Sequence, residues 1–157
     1  MTESRLTHVD ETGAARMVDV TAKAVTERVA TAAGRVLVSP EVVGLLRGVG
    51  VLKGDAVAVA RIAGIMGAKR TPDLVPLCHP LALHGVTVDV VVAEDAVEIT
   101  ATARTADRTG VEMEALTSVA VAGLTVIDMV KAVDPRATIT DVRLLAKSGG
   151  KKGDWVR

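Results

Sequence analysis

The sequence is nearly free of aromatic residues: its 157 residues include one tryptophan but no tyrosine and no phenylalanine. Proteins that bind single-stranded nucleic acid usually stack the bases on aromatic rings, and that platform is missing here. Basic and acidic residues number 19 each, so the chain also lacks the positive excess that attracts a phosphate backbone. These absences argue against nucleic acid as a partner.

Cysteine occurs once, at Cys78, which excludes an intrachain disulfide and a cysteine-rich zinc site. The polar N-terminus contains no apolar signal stretch. The longest uncharged helical run, residues 115–127, is shorter than the roughly 20 residues that cross a bilayer. We therefore expect a soluble, cytoplasmic protein with no membrane partner.

Hydrophobic residues make up 49% of the chain and are mainly alanine, valine and leucine, which suit a tight core of helices on a sheet. Alternating apolar residues predict strands at 27–39, 84–92, 96–104 and 139–147, with the middle two forming a hairpin. Helical spacing predicts helices at 40–48, 55–70 and 111–133, with Ser39 and Asp55 as caps of the first two.

The predicted order of strands and helices is the βαββαβ order of a ferredoxin-like sandwich, which is an α+β fold. We expect one domain over residues 1–157, with an antiparallel sheet and the helices on one face. Residues 1–20 are expected to form an extended arm and residues 148–157 a flexible, glycine-rich tail. The other sheet face is expected to be rich in valine and to need a cover, so we predict an oligomer.

The stretch DLVPLCHPLALHGV (73–86) places Cys78 and His79 between two prolines, which predicts a stiff, non-helical connection. Zinc ligation by Cys78, His79 and His84 is one interpretation, but no fourth ligand lies at a diagnostic spacing, which favours a simple pocket wall. A nucleophilic Cys78–His79 pair is disfavoured, because adjacent side chains in an extended segment point apart.

The longest predicted helix carries Asp128 and Lys131 at i, i+3, either as an ordinary surface ion pair or as a functional pair. Their apolar neighbours Ile127 and Met129 predict that this turn is mostly buried, where a carboxylate beside a lysine is costly unless both have a task. Glu114 lies about 21 Å away along the helix axis. A small site that used both ends would need two subunits or a long ligand.

Several long motifs follow one another along the chain: MVDVTAK (17–23), LKGD (52–55), ARIAGIMGAKRTPDLVPLCHP (60–80), TGVEMEALT (109–117), DMVKA (128–132) and RLLAKSGGK (143–151). Together they resemble the cyclic pyranopterin monophosphate synthase family, the C proteins of molybdenum-cofactor biosynthesis. The resemblance implies a ferredoxin-like hexamer, built as a trimer of dimers with active sites at the dimer interfaces.

The resemblance also implies a reaction. The substrate would be the cyclised nucleotide 3′,8-cyclo-7,8-dihydroguanosine 5′-triphosphate, which is rearranged to cyclic pyranopterin monophosphate with release of diphosphate. No redox cofactor and no metal ligand are implied, and Mg²⁺ beside the triphosphate stays an open alternative.

By position, the resemblance implies a catalytic group of Asp128, Lys131 and Lys53. Asp128 would act as general base and acid, Lys131 as its proton partner, and Lys53 as a phosphate ligand or acid. The implied substrate-binding residues are Leu77, Cys78, His79, Glu112, Met113, Glu114, Lys147 and, at the triphosphate, Lys69 or Arg70.

Three other interpretations compete with an enzyme. A non-catalytic nucleotide sensor would explain the fold and a pocket but not the Asp128–Lys131 pair. A structural assembly protein predicts no bound phosphate. RNA binding fits worst, because the aromatic residues that it needs are absent.

Overall fold

The structure of the protein is a computed structural model that describes residues 6–48 and 56–157. Within these residues the chain forms five strands and four helices: β1 (Thr26–Leu37), α1 (Pro40–Arg47), α2 (Ala56–Lys69), α3 (Thr71–Leu74), β2 (Gly85–Val92), β3 (Ala96–Asp107), α4 (Glu112–Val130), β4 (Thr138–Ser148) and β5 (Trp155–Val156). The α+β class with an antiparallel sheet is confirmed, as is the hairpin, which is formed by β2 and β3.

The sheet has the strand order β2-β3-β1-β4-β5, and every neighbouring pair is antiparallel. β1 lies at its centre, paired without interruption to β3 and with two register shifts to β4. Gly34 lies at the second shift, where a Cβ would stand 2.7 Å from a methyl of Val119 on α4. The absent side chain therefore lets α4 lie directly on the central strand.

The core contains alanine, valine and isoleucine, with Ile99 the largest of its fully buried side chains. α2 and α4 both pack on one face of the sheet and against each other. Small residues allow the close helix contact: a Cβ at Gly67 would lie 2.7 Å from Cβ of Val121, and one at Gly64 would lie 3.1 Å from the carbonyl oxygen of Ser118. The expected tight core of small side chains is present.

The prediction that the outer face of the sheet is rich in valine is wrong. Val88 and Val90 point toward the helices and are buried, because the alternation along β2 turns its buried valines inward and Thr87 and Asp89 outward. On the outer face, Thr31 hydrogen-bonds Thr102 at 2.9 Å. Further along the same strands, Arg35 pairs with Glu98 at 2.7 Å on that face. Val91 of β2 is 58% exposed on that face, and further exposed apolar side chains lie on α2 and α4, at Ile62, Met66 and Leu124.

Three local predictions have different outcomes. Ser39 caps α1 as expected, since its hydroxyl accepts a hydrogen bond from the amide of Val42 at 3.3 Å, whereas the predicted cap Asp55 lies outside the described residues. The connection after α2 is not entirely non-helical: Thr71–Leu74 forms the short helix α3, with Pro72 in its first turn, where proline is tolerated.

The tail contains a strand that no pattern predicted. Trp155 and Val156 form β5 and pair with Lys147 and Ala146 of β4. The flexibility of the tail stays a prediction, but β5 attaches the tail to the edge of the sheet.

α4 is the one helix of the described part that is long and apolar enough to cross a membrane. Half of the relevant window is buried inside the fold, where α4 contacts β1, β3, β4 and α2. A helix covered on two sides is apolar around most of its circumference, so packing accounts for its composition.

We predict that Gly67→Ala lowers the free energy of unfolding by about 1–3 kcal/mol, because the new methyl group would overlap Val121 across the α2–α4 contact. The matched control is Gly44→Ala in α1, where no described atom lies within 4 Å of the new Cβ. That change should stabilise by about 0.4–1 kcal/mol, since alanine loses less chain entropy than glycine. Urea unfolding measures both. Equal effects would contradict the close contact.

Candidate active site

A cleft of about 910 Å³ lies beside the N-terminal arm, which we define as residues 6–25. Its other walls are the first residues of β1, the loop before α4, and the chain from Lys147 to Lys152 at the end of β4. Three predicted substrate-binding residues line it: His79, Glu112 and Lys147. Its volume is within the range of pockets that bind cofactors and nucleotides.

Among the described residues, five cationic side chains line this cleft: Lys23, Arg28, Lys147, Lys151 and Lys152. Arg28 is held in place, because its Nε donates to the carbonyl oxygen of Asp107 at 3.1 Å. Lys147 pairs with Glu112, the cleft's carboxylate, at 2.9 Å, and each side chain is about 30% exposed. The excess of positive charge suits a ligand with several negative charges.

The glycine-rich segment after β4 forms a turn in the wall of the cleft. Gly149 and Gly150 have φ angles of 85° and 80°, a region that favours glycine. A Cβ at Gly149 would collide with the carbonyl oxygen of Glu27 on β1. The turn therefore brings Lys151 and Lys152 to the same cleft as Lys147.

Glu114 comes two residues after Glu112. It lies on the inner side of α4 and is only 2% exposed. Its Oε2 finds no hydrogen-bond partner within the described residues, and neither does the buried hydroxyl of Ser118, one helical turn further. Burial raises the pKa of Glu114 to about 7, and the nearby charge of Glu112 adds to the effect. Near neutral pH this carboxyl can therefore either accept or donate a hydrogen bond.

Cys78 is half-buried beside these two carboxylates. Burial, followed by the charges of Glu114 and Glu112, raises the pKa of its thiol, which disfavours the nucleophilic thiolate. His84 is engaged elsewhere, since its Nδ1 accepts from the amide of Ala106 at 3.3 Å. Among the residues that the structure describes, no three His, Cys, Asp or Glu side chains come together as metal ligands.

Asp128 and Lys131 form the predicted pair at the far end of α4, with Lys131 Nζ 2.7 Å from Asp128 Oδ1. This hydrogen bond holds the pKa of the Asp128 carboxyl below its usual value. The predicted burial is wrong: the side chains are 70% and 62% exposed. Val126 and Val130 occupy the inner face of this turn, so the helical period turns Asp128 outward.

The remaining predicted residues do not all meet in one protomer. Lys69 and Arg70 are exposed at the end of α2, and neither is among the residues that line the cleft. Arg70 pairs with Asp73 at 3.4 Å. Leu77 is partly buried, Met113 is 38% exposed, and Lys53 lies outside the described residues.

Sequence reasoning missed two cations of the cleft. Lys23 ends the motif MVDVTAK, in which no pattern gives the lysine a role. Arg28 lies on β1, where strand alternation shows only that a side chain points to one face. Its place in the cleft depends on the neighbouring β3 and the tail, which are remote in sequence.

Fold and site together define a small α+β protein with a cationic cleft for a compact anionic ligand. The chain belongs to the MoaC family, whose family model matches residues 17–150. All site residues predicted from the sequence fall within that match, so the predicted resemblance is confirmed.

The chain is similar over nearly its whole length to proteins named cyclic pyranopterin monophosphate synthase. It is 75% identical over 156 residues to the one from Streptomyces griseus, a match that covers 99% of this chain and 88% of that protein. It is 68% identical to the one from a Nocardioides species, and that match covers 98% of this chain and 96% of that protein. It is 61% identical to cyclic pyranopterin monophosphate synthase 2 of Mycobacterium tuberculosis, and that match covers 97% of this chain and 91% of that protein.

We predict that Glu114→Gln changes the pH dependence of stability. Because the folded-state pKa of about 7 lies above the ordinary glutamate value of 4.5, the native protein binds more protons than the unfolded chain between these values. Stability is therefore lost as pH rises through this window, by up to about 3 kcal/mol, and the glutamine variant should not lose it.

Urea unfolding at pH 5 and pH 8, at a fixed protein concentration, measures this difference. Glu94→Gln, at an exposed glutamate, is the matched control and should follow the wild type. Parallel pH profiles of wild type and Glu114→Gln would contradict the buried carboxyl.

Proposed function

We propose that this protein is a cyclic pyranopterin monophosphate synthase of molybdenum-cofactor biosynthesis. It converts 3′,8-cyclo-7,8-dihydroguanosine 5′-triphosphate to cyclic pyranopterin monophosphate and releases diphosphate. The observation that carries the proposal is the cleft, in which five cations of the described residues stand beside Glu112 of α4, in a chain of the MoaC family.

The cations bind the triphosphate end of the substrate. Lys147, Lys151 and Lys152 come from one wall, while Lys23 and Arg28 come from the arm and β1. When the phosphate–oxygen bond breaks, negative charge develops on the oxygen that leaves with the diphosphate. Cations that are already in place stabilise this developing charge, which is how electrostatic preorganisation lowers a barrier.

Glu114 reads the guanine-derived end. Its ionised form accepts hydrogen bonds from the ring N–H and the amino group, which are donors. With a pKa of about 7, its protonated form is also available as a donor to a ring oxygen or nitrogen. Cys78 beside it is a compact, protonated wall of the pocket, and Leu77 and Met113 add apolar surface.

Asp128 and Lys131 carry out the proton transfers. Asp128, already hydrogen-bonded to Lys131 at 2.7 Å, serves as general base and acid, and Lys131 balances its charge and exchanges the proton. Lys53 is proposed as a third catalytic lysine, and Lys69 or Arg70 as a further phosphate ligand. The reaction is a rearrangement without net oxidation, so no redox cofactor is proposed, and a chelator tests whether Mg²⁺ accompanies the triphosphate.

The pair belongs to the cleft of a second subunit. Glu114 and Asp128 lie on one helix, about 21 Å apart along its axis, so one small site cannot use both from a single chain. Leu124, one turn before Asp128, is 59% exposed, and Ile62 and Met66 on the packed α2 are 58% and 60% exposed. A partner subunit would cover this apolar surface and bring the pair to its own cleft.

At the level of the whole chain, we propose a single ferredoxin-like catalytic domain over residues 1–157, with β5 as an addition at the sheet edge. The strand order β2-β3-β1-β4 supports this fold. We propose a homo-oligomer, a hexamer built as a trimer of dimers, acting in the cytoplasm on a small nucleotide rather than on nucleic acid.

The first test is turnover. Asp128→Asn and Lys131→Ala should each lower the rate of diphosphate release from the cyclised nucleotide by about 10²–10⁴-fold, the usual range for loss of a general acid–base group. Both should keep the fold, with stability within about 0.5 kcal/mol of wild type, because the two side chains are exposed in the protomer. A nucleotide sensor would lose affinity at most, and full activity in the asparagine variant would overturn the assignment.

The second test is complementation between subunits. Asp128→Asn and Lys147→Met are each expected to be inactive, since one lacks the proton-transfer acid and the other a cleft cation. After the two are mixed and reassembled, about a quarter of the sites should combine an intact cleft with an intact pair from the partner. Activity of the mixture measures this. No recovery despite proven mixed oligomers would contradict the shared site.

A further inference from the structure

We infer that His79 is a positioned hydrogen-bond acceptor, and that the backbone of the N-terminal arm sets which ring nitrogen meets the substrate. The inference rests on the proposed function, because it assigns an atom of the same cleft. It concerns the contact between His79 and the carbonyl oxygen of Val18, residues that are 61 positions apart in the chain.

His79 Nε2 lies 2.6 Å from the carbonyl oxygen of Val18. A carbonyl oxygen can only accept, so the ring nitrogen must carry the hydrogen. In the neutral imidazole the other nitrogen, Nδ1, then has a lone pair. Nδ1 forms no hydrogen bond within the described residues, so its lone pair is available to a ligand in the cleft that His79 lines.

The arm carbonyl is held in a fixed place. Asp19 closes a tight turn by accepting from the amide and hydroxyl of Thr21, at 2.9 Å and 2.6 Å. Further on, the Nε of Arg108 donates to the carbonyl oxygen of Lys23 at 3.1 Å. Two side chains outside the arm, His79 and Arg108, therefore bind its backbone at Val18 and at Lys23, on either side of the turn.

The loop holds the ring from the other side. His79 is followed by Pro80 and lies three residues after Pro76, and prolines restrict the backbone on both sides. The ring is half-buried. An imidazole fixed at its loop and at one nitrogen has little freedom to turn, and the hydrogen bond at that nitrogen sets the state of the other nitrogen.

An acceptor at this point complements its surroundings. The five cations of the cleft are donors and serve the phosphates. A substrate that contains a ribose and a reduced purine ring also carries donors, in its hydroxyl and ring N–H groups. We assign Nδ1 of His79 to one of these donors, with the Val18 carbonyl as the positioning group behind it.

Two substitutions separate the roles of the two nitrogens. The amide nitrogen of glutamine reaches the place of Nε2, whereas that of asparagine reaches only the place of Nδ1. In His79→Gln the hydrogen-exchange rates of the amides of residues 17–24 should stay within about twofold of wild type, because the glutamine amide still donates to the Val18 carbonyl oxygen. In His79→Asn the same amides should exchange about tenfold faster or more. Both variants should lose turnover by about tenfold or more.

A direct measurement does not depend on activity. In protein labelled with ¹⁵N-histidine, the His79 signals, identified by their loss in His79→Gln, should show a protonated Nε2 and an unprotonated Nδ1 at pH 8. A hydrogen on Nδ1 would overturn the inference, as would equal release of the arm in both variants or full turnover in His79→Gln. An inactive wild type with the expected exchange and nitrogen signals would instead refute the proposed function and leave the arm contact standing.

Discussion

The close approach of α4 to the central strand and to α2 is the constraint on which the rest of the structure depends. It is made possible by missing side chains: Gly34 on β1 and Gly64 and Gly67 on α2 each leave room where a methyl group would meet α4. A core without tyrosine or phenylalanine can be dense only if backbones come this near. The resulting helix α4 is packed along its length. It carries Glu112 and Glu114 at one end and the Asp128–Lys131 pair at the other.

The length of α4 then decides how the site is divided. Its first turn carries Glu112, which lines the cleft, and Glu114, which is buried; its last turn carries Asp128, about 21 Å further along the helix axis. The cleft itself is assembled from segments that are distant in sequence: the arm, the start of β1, the proline loop and the turn after β4. Because the cleft lies at one end of this long helix, the protomer presents the cleft cations and the Asp128–Lys131 pair as two separate groups.

Prediction from sequence succeeded where the controlling interactions are local. The cap at Ser39 and the hairpin of β2 and β3 follow from neighbouring residues, and both are present. It failed where tertiary contacts decide. The apolar neighbours of Asp128 suggested burial, although Val126 and Val130 take the inward positions of that turn. β5 has two residues and no alternation of its own, so only its pairing with β4 defines it. The cation Arg28 has no local signal at all.

The position of β5 has a practical consequence for spectroscopy. Trp155 is the chain's only strongly fluorescent residue, and it pairs in the sheet with Lys147, which lines the cleft. The guanidinium of Arg157 lies 5.8 Å from the centre of its ring. Its emission therefore reports on the edge of the sheet next to the cleft, while the alanine and valine interior contributes no signal. Intrinsic fluorescence of this protein therefore follows one edge of the sheet, whereas circular dichroism follows the helices and strands of the core.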